Sequence, residues 1–561
     1  MDTVTPDAKL PAGVLAGPPS VAGVPASTGV PAEPLDLIEG PKVRTKLRLY
    51  AILSGLYLAL FVAALDQTIV SIAIPTITSD LHSAQGYVWI GGAYLLANAA
   101  TGPIWAKCSD IWGRKPLLLA AVALFTGASL LAALSNSMTM LIAGRALQGV
   151  ASGGLMQLVT IVISDLFSVR KRSLYLGYVG FVWALAGSSG PLIGGAFTQF
   201  DWRWCFWINL PIGGLTFLLL VLFLDVHNPR TRIGEGVKAI DWIGTISILA
   251  VTLLLLLGLD FGGAIFPWNS PKVICLIVVG GLMIGFFVFS EQRLARYPLI
   301  PLTVFQNGSN NATFIVAFAH GMVLIGIEYY LPLFLQSVLQ ASPLRSGILM
   351  LPLIGTQAVV EILAGVVIHR TGRYQELIWA GAVLMTVGTG LYVTFGPGTS
   401  VAVVVGLEIL GALGPALLFQ GPMVSIQNTV SQDETASATA CLGFIRNLAV
   451  SLSVVLGGVV FQNSMEARQS TLATAGLDPS VLTALSGSQA AANVVITQTT
   501  QDALQRHVVL EAFSWSLRNM FIMYTCLSGV ALVASAFIKH RKLNEEHTET
   551  KTGIQSLAKS G

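Results

Sequence analysis

The chain has 561 residues, of which 54% are hydrophobic and only 11% charged, with a mean hydropathy of +0.73. Soluble domains carry about 25% charged residues, so this composition excludes an ordinary water-soluble fold and indicates a polytopic membrane protein. The net charge of +3 says little about nucleic acid, and five scattered cysteines without CxxC or Cys/His spacing suggest neither a metal site nor a disulfide framework.

The N-terminal stretch is rich in Pro, Gly, Ala and Val and lacks the apolar core of a signal peptide, so residues 1–48 read as a disordered cytoplasmic tail. Apolar segments follow at 49–76, 87–107, 116–134, 138–163, 173–198 and 204–224, then at 242–259 and 272–290. Six more lie at 312–336, 346–368, 377–395, 399–423, 436–461 and 515–538. Each approaches the ~20 residues a bilayer requires, which predicts an all-α protein of about fourteen transmembrane helices.

Lys and Arg set the orientation. Basic clusters precede the first segment (Lys42, Arg44, Lys46, Arg48) and follow the second, fourth, sixth, eighth, tenth and last, all on one side. That side is therefore expected to be cytoplasmic, with both chain ends inside. The segment 462–514 becomes a long external loop, and 539–561 a cytoplasmic C-tail.

An internal repeat is visible. AKCSDIWGRK (106–115) and GVVIHRTGRY (365–374) follow the second and tenth segments, and each carries Gly-Arg near its end. Parallel duplication would give two six-helix bundles, at 49–224 and 312–538, with a linker at 225–290 contributing two extra helices.

Within the fifth segment, Gly177–Gly195 splits into two faces at helical period. Gly177, Gly180, Ala184, Gly187, Ser188, Pro191, Gly194 and Gly195 share one face, and Tyr178, Phe181, Val182, Leu185, Leu192, Ile193 and Phe197 the other. In lipid, small residues let a second helix approach closely, and Pro191 leaves a backbone carbonyl without its usual donor. Such a helix suits a moving contact or simply tight packing.

Charged groups inside apolar segments are costly and need a reason. Asp66 lies inside the first, where a charge costs about 2.5–3.5 kcal/mol on insertion scales. It reads as a proton or cation site, or as a structural carboxyl satisfied by its neighbours. Arg145 is an obligate cation in the fourth segment that needs an interior partner, and Gln148 lies one turn on. Asp110, Gly113, Arg114 and Lys115 read as a latch between helix ends, with Arg370 and Arg373 in the equivalent loop of the second half. Further embedded groups are His320, Glu328, Glu361, Glu408 and Arg446. His320 and Glu328 are eight residues apart on one helix face, beside Tyr329, and with the others form a candidate substrate cavity for lipophilic or cationic molecules.

Six motifs, in order, resemble the major facilitator superfamily and its fourteen-span drug:proton antiporter group of fungi. These are LDQTIVSIAIPTI (65–77), Ala106–Lys115, LIAGRALQGVASGG (141–154), Gly177–Gly195, WRWCFWINLPIGG with DWIG (202–214, 241–244), and FIRNL (444–448). Departures are Ala106, Cys108 and Ile111 in the loop motif, and Ala186 in the antiporter motif that otherwise carries Gly177, Gly190, Pro191, Gly194 and Gly195. The resemblance implies the major facilitator fold and a role for Arg145 in proton coupling. It also implies export of small organic molecules, driven by a proton gradient and needing no cofactor. It further implies a monomer in the plasma membrane rather than the vacuolar one, its partners being substrate, protons and lipid. Proton-coupled uptake, or vacuolar transport of amino acids or iron chelates, is the alternative. No Walker A, GxSxG, HExxH or dinucleotide-binding glycine pattern is present, so an enzyme is not expected.

Overall fold

Apolar runs punctuated by Ser, Thr, Asp, Asn and Gly fold into long helices in the computed structural model. It describes residues 45–543 and 552–553 apart from 83–85, 264–265, 301, 433, 487–489, 492 and 494–495. The first half contains α1 (Lys46–Asp80), α2 (Gly86–Trp112), α3 (Arg114–Ala133), α4 (Met138–Leu166), α5 (Val169–Thr198) and α6 (Trp204–Phe223), the last interrupted at Ile208. A linking pair follows, α7 (Trp242–Phe261) and α8 (Pro271–Arg293). The second half contains α9 (Gly308–Ser337), α10 (Pro343–Thr371), α11 (Gln375–Tyr392), α12 (Val401–Thr429), α13 (Thr435–Ala467) and α14 (Ala503–Ser535).

Helix starts follow capping chemistry. Thr45, Ser137, Asp241, Asn307, Ser342, Ser400 and Asp502 each accept a hydrogen bond from a first-turn amide. By length and composition, twelve of the helices are able to cross a membrane. The two outside that set are α2, diluted by Gly, Ala, Asn and the Lys107–Asp110 end, and α11, which opens on Gln375-Glu376 and is rich in Gly and Thr.

The repeat has a backbone counterpart. Gly113 and Gly372, at matching places in the two loops, both adopt positive φ, +93° and +71°. L-residues with a Cβ avoid that region, so glycine is what lets both chains turn there.

Separate apolar cores fill the halves. One gathers Leu56, Leu118, Phe125, Leu155 and Ile161 of the first half, the other Phe334, Tyr392, Phe461 and Phe521 of the second. Helices α7 and α8 pack on each other; Leu256 meets Leu96 and Ala99 of α2, while Ile248 and Phe287 join Phe314 and Leu442.

Two segments depart from the sequence reading. The segment 462–514, expected to be an external loop, is shorter as a loop, because α13 runs to Ala467 and α14 starts at Ala503. Asp502 caps that early start, and polar residues can be helical once they project beyond the apolar layer. Short helices Gln469–Thr474, Pro479–Ala484 and Ile496–Thr499 lie between, with Leu472 and Leu485 buried in the second-half core. Residues 1–44 of the expected N-tail, and 544–551 and 554–561 of the C-tail, lie outside the described residues, whereas Lys46–Arg48 already belong to α1.

Candidate functional site

Asp66 is completely buried, and its carboxylate is held by three side chains from two helices, α4 and α6. Arg145 of α4 donates to Oδ2, while Gln148 Nε2 and Asn209 Nδ2 donate to Oδ1 at 3.0 and 2.7 Å. Ser129 of α3 accepts from both amides, at 2.8 and 3.2 Å, and passes its own proton to the Phe125 carbonyl. Arg145 also donates to Gln148 Oε1 and the Ile90 carbonyl, and its guanidinium lies 4.4 Å from the centre of the Tyr94 ring. A buried ion pair is tolerable when its remaining donors and acceptors are satisfied, and here nearly all are. The embedded Asp66, Arg145 and Gln148 singled out in the sequence are thus brought together, entirely inside the first half. Asn209 and Ser129 complete it; Asn209 lies within the WINLPIGG stretch, where a lone amide among apolar residues was a readable signal.

A second buried cluster joins helix ends on the basic side. Arg114 of α3 binds Asp110 Oδ1 and Ser109 Oγ of α2, and its Nε donates to Asp165 Oδ2 of α4 at 2.8 Å. Lys115 caps the end of α6 through the Val221 and Leu224 carbonyls, both at 2.8 Å. The Gly113 turn abuts Pro229. The latch is therefore a clasp of α2, α3, α4 and α6, and Asp165, which sequence reasoning missed, is its second acid.

Among the described residues, the equivalent loop of the second half makes no such clasp. Arg373 reaches Glu376 of the next helix, at 3.8 Å with both side chains exposed, and Arg370 offers its backbone carbonyl to Arg170. The cross-half bonds fall on other residues. Arg170 Nε donates to the His369 carbonyl, buried Arg172 donates to Gln427 Oε1 at 3.0 Å, and Gln427 Nε2 donates to Ser164 Oγ at 2.9 Å. Ser173 donates to the Gly365 carbonyl at 3.3 Å. Together these hold α4 and α5 to α10 and α12 at the basic end.

Helix α5 uses its small residues on two partners rather than one. Gly190 and Gly194 pack on Thr68 and Ile69 of α1, with Thr68 donating to the Ala186 carbonyl at 3.1 Å. Gly177 and Gly180 pack on Glu361 and Ile362 of α10 in the other half. Gly187 lies two turns beyond Gly180 on that face, and a Cβ there would meet nothing within 4 Å; the same holds for Gly195. The contact between halves is thus closed at the basic end of α5 and open past its middle. Pro191 lies within α5.

The remaining second-half residues divide. Glu361, 7% exposed, faces the α5 glycines, and Gln420 of α12 donates to its backbone carbonyl at 2.6 Å. Glu328 hydrogen-bonds Gln357 of α10. Arg446 of α13 donates to the Phe419 carbonyl and lies 5.0 Å from the centre of that ring, with its Nε unpartnered. His320 is buried and donates to the Pro415 carbonyl at 2.9 Å. Two more of the expected cavity residues lie apart from Glu361 and Glu328. Tyr329 is 59% exposed, because it follows Glu328 by one residue and so turns about 100° away. Glu408 is buried beside Tyr392 of α11, and neither of its carboxyl oxygens has a partner among the described residues.

A bundle of apolar helices in two duplicated halves, with ionic clusters buried within it, defines a multi-pass membrane transporter. The sequence profile of the Major Facilitator Superfamily matches residues 56–454, and the chain belongs to that superfamily. It is 43% identical over 514 residues to the MFS-type transporter ppz2 of Metarhizium majus, covering 91% of this chain and 88% of that one. It is 42% identical to the efflux pump dotC of Dothistroma septosporum, covering 91% and 86%. Among solved structures, the human organic anion transporter MFSD10 aligns with a TM-score of 0.56 at 16% identity, over 89% of this chain and 100% of that one, a likeness of fold. The chain is thus a transporter and not an enzyme, and its fungal relatives include efflux pumps.

Proposed function

We propose that the protein exports small organic molecules, lipophilic or cationic, in exchange for protons, by alternating access. The observation that carries this reading is the α5–α10 contact, closed by Ser173, Gly365, Gly177 and Glu361 and open beside Gly187. Two halves joined at one end and parted at the other are one pose of a rocking carrier. All fourteen helices cross the membrane in this reading, with α2 and α11 shielded by neighbours. The basic end is cytoplasmic, both chain termini are inside, and the pose is outward-open. The efflux pumps among the relatives support the direction of transport. One chain contains the whole pathway, so a monomer in the plasma membrane suffices, and the proton gradient is the energy source.

Chemistry supports the substrate class. The second-half wall between the bundles offers Glu361, Glu328, Gln357 and the Phe419 ring, a few polar groups among apolar ones. In the first half, Asp66 is fully engaged by Arg145, Gln148 and Asn209, and a proton arriving there would have to displace a donor.

The test uses purified protein in liposomes with an imposed pH gradient. Lipophilic cations such as tetraphenylphosphonium, and neutral toxins, are added while the gradient is followed. Substrate-dependent dissipation of the gradient is expected; binding of a compound without proton movement would refute the exchange mechanism.

A further inference from the structure

We infer that Glu361 is the proton-responsive contact between the two halves: its neutral acid seats in the Gly177–Gly180 notch of α5 and keeps the basic end closed, and loss of its proton releases it. The inference rests on the proton-coupled reading above and adds to it the group on which the proton acts.

Position is the first argument. Glu361 is the acid at the surface where α10 meets α5, whereas the Asp66 network lies wholly within the first half. A Cβ on Gly180 would fall directly on the Glu361 carboxyl, so the glycine leaves a side-chain-sized recess that this acid fills.

Hydrogen bonding is the second. Glu361 Oε2 is buried with no partner among the described residues, and Gln420 Nε2 donates to the backbone carbonyl, not the carboxyl. A carboxylate there would present a charged acceptor with no donor, which is far less favourable than a neutral acid in the same seat. The charged groups that face it are Glu328 from α9 and Arg446 from α13; α12 presents the amide Gln420, and α5 presents no ionic group beyond Arg172. Glu328 opposes a second negative charge, whereas Arg446 favours one, though it spends one donor on the Phe419 carbonyl.

Motion is the third. Gly180 and Glu361 lie near the middle of their helices, at the boundary between the closed stretch and the open one at Gly187. The outward-open state therefore holds the proton in the notch. Loss of that proton frees the acid from the notch, and the basic end then parts towards the cytoplasmic side.

The experiment needs no substrate. Spin labels are placed at Lys171→Cys and Thr371→Cys of the full chain in lipid nanodiscs, with Cys108, Cys275 and Cys526 replaced by Ala, and distances are measured across an acid-to-alkaline series. In the parent, a longer-distance population is expected to grow as pH rises. Glu361→Gln is expected to lose that response and remain short throughout, and Gly180→Ala, which fills the notch, to show the long population even in acid. A Glu361→Gln protein that opens at the same pH as the parent overturns the inference, as does a Gly180→Ala protein that closes like the parent. A parent with no pH response, together with no proton movement in the liposome assay, overturns the proton-coupled reading itself.

Discussion

Asn209 and Asp66 lie 143 positions apart in the chain, yet the Asn209 amide donates to the Asp66 carboxylate at 2.7 Å in a site closed to solvent. That bond makes α6, which carries no charged residue near it, part of the N-half ionic centre. It also explains why an amide sits just after the break at Ile208.

Removing the two residues should differ in severity. Asn209→Ala takes one of two donors from Oδ1 and is expected to lower stability by about 1–3 kcal/mol. Asp66→Ala strands the buried Arg145 cation and should cost about 3–5 kcal/mol, often abolishing expression. Thermal unfolding of the detergent-solubilised protein, followed by tryptophan fluorescence, checks the order.

The paired loop glycines should also respond unequally. Gly372→Ala meets no atom within 4 Å and bears only the cost of its left-handed backbone, about 1–2 kcal/mol. Gly113→Ala carries the cost of a positive-φ extended backbone that essentially only glycine adopts, about 1–3 kcal/mol, and also drives a Cβ to 2.9 Å from the Pro229 ring, so it should melt at a lower temperature than Gly372→Ala. Equal melting temperatures would count against a specific seat for Pro229.

The two glycine faces of α5 give a third test. Gly194→Ala pushes a methyl against the Ile69 carbonyl of α1 and should destabilise by about 1–3 kcal/mol, as overpacking does. Gly187→Ala enters open space and should leave the melting temperature within error of the parent. The comparison discriminates a single sliding stripe from the two-sided use seen here.

Closure at the basic end should be trappable. An Arg170→Cys, Arg370→Cys pair is expected to be joined by a short, reducible bifunctional thiol reagent, since the Arg170 side chain donates to the Arg370 carbonyl across this contact. The cross-link should stop transport and a reductant should restore it, read as a mobility shift on gels alongside flux. Free transport through a fully cross-linked protein would refute rocking at this contact.

Much of this was legible along the chain. Hydrophobic runs of bilayer length, ended by Ser, Asp or Gly, mark the fourteen helices to within a few residues, because burying backbone in apolar surroundings demands helices and capping demands those residue types. The boundary missed most widely, the start of α14 at Ala503 rather than 515, is one where hydropathy carries no signal for a helix continuing beyond the apolar layer. The repeat of Gly-Arg loops, the embedded charges of Asp66 and Arg145 and the superfamily itself were also readable, since each rests on residue type and order.

What only the tertiary structure decided is which groups meet across the bundle. Asp165 joins Arg114, Arg172 joins Gln427, Glu408 is buried beside Tyr392, and Glu361 rather than Arg373 meets the other half. Helical period fixes the side of a helix on which a residue lies, but not which neighbour covers that side. In a membrane, where lipid is as apolar as leucine, hydrophobicity does not reveal that neighbour either; close packing of small residues and the pairing of buried polar groups do, and both exist only once the helices are assembled.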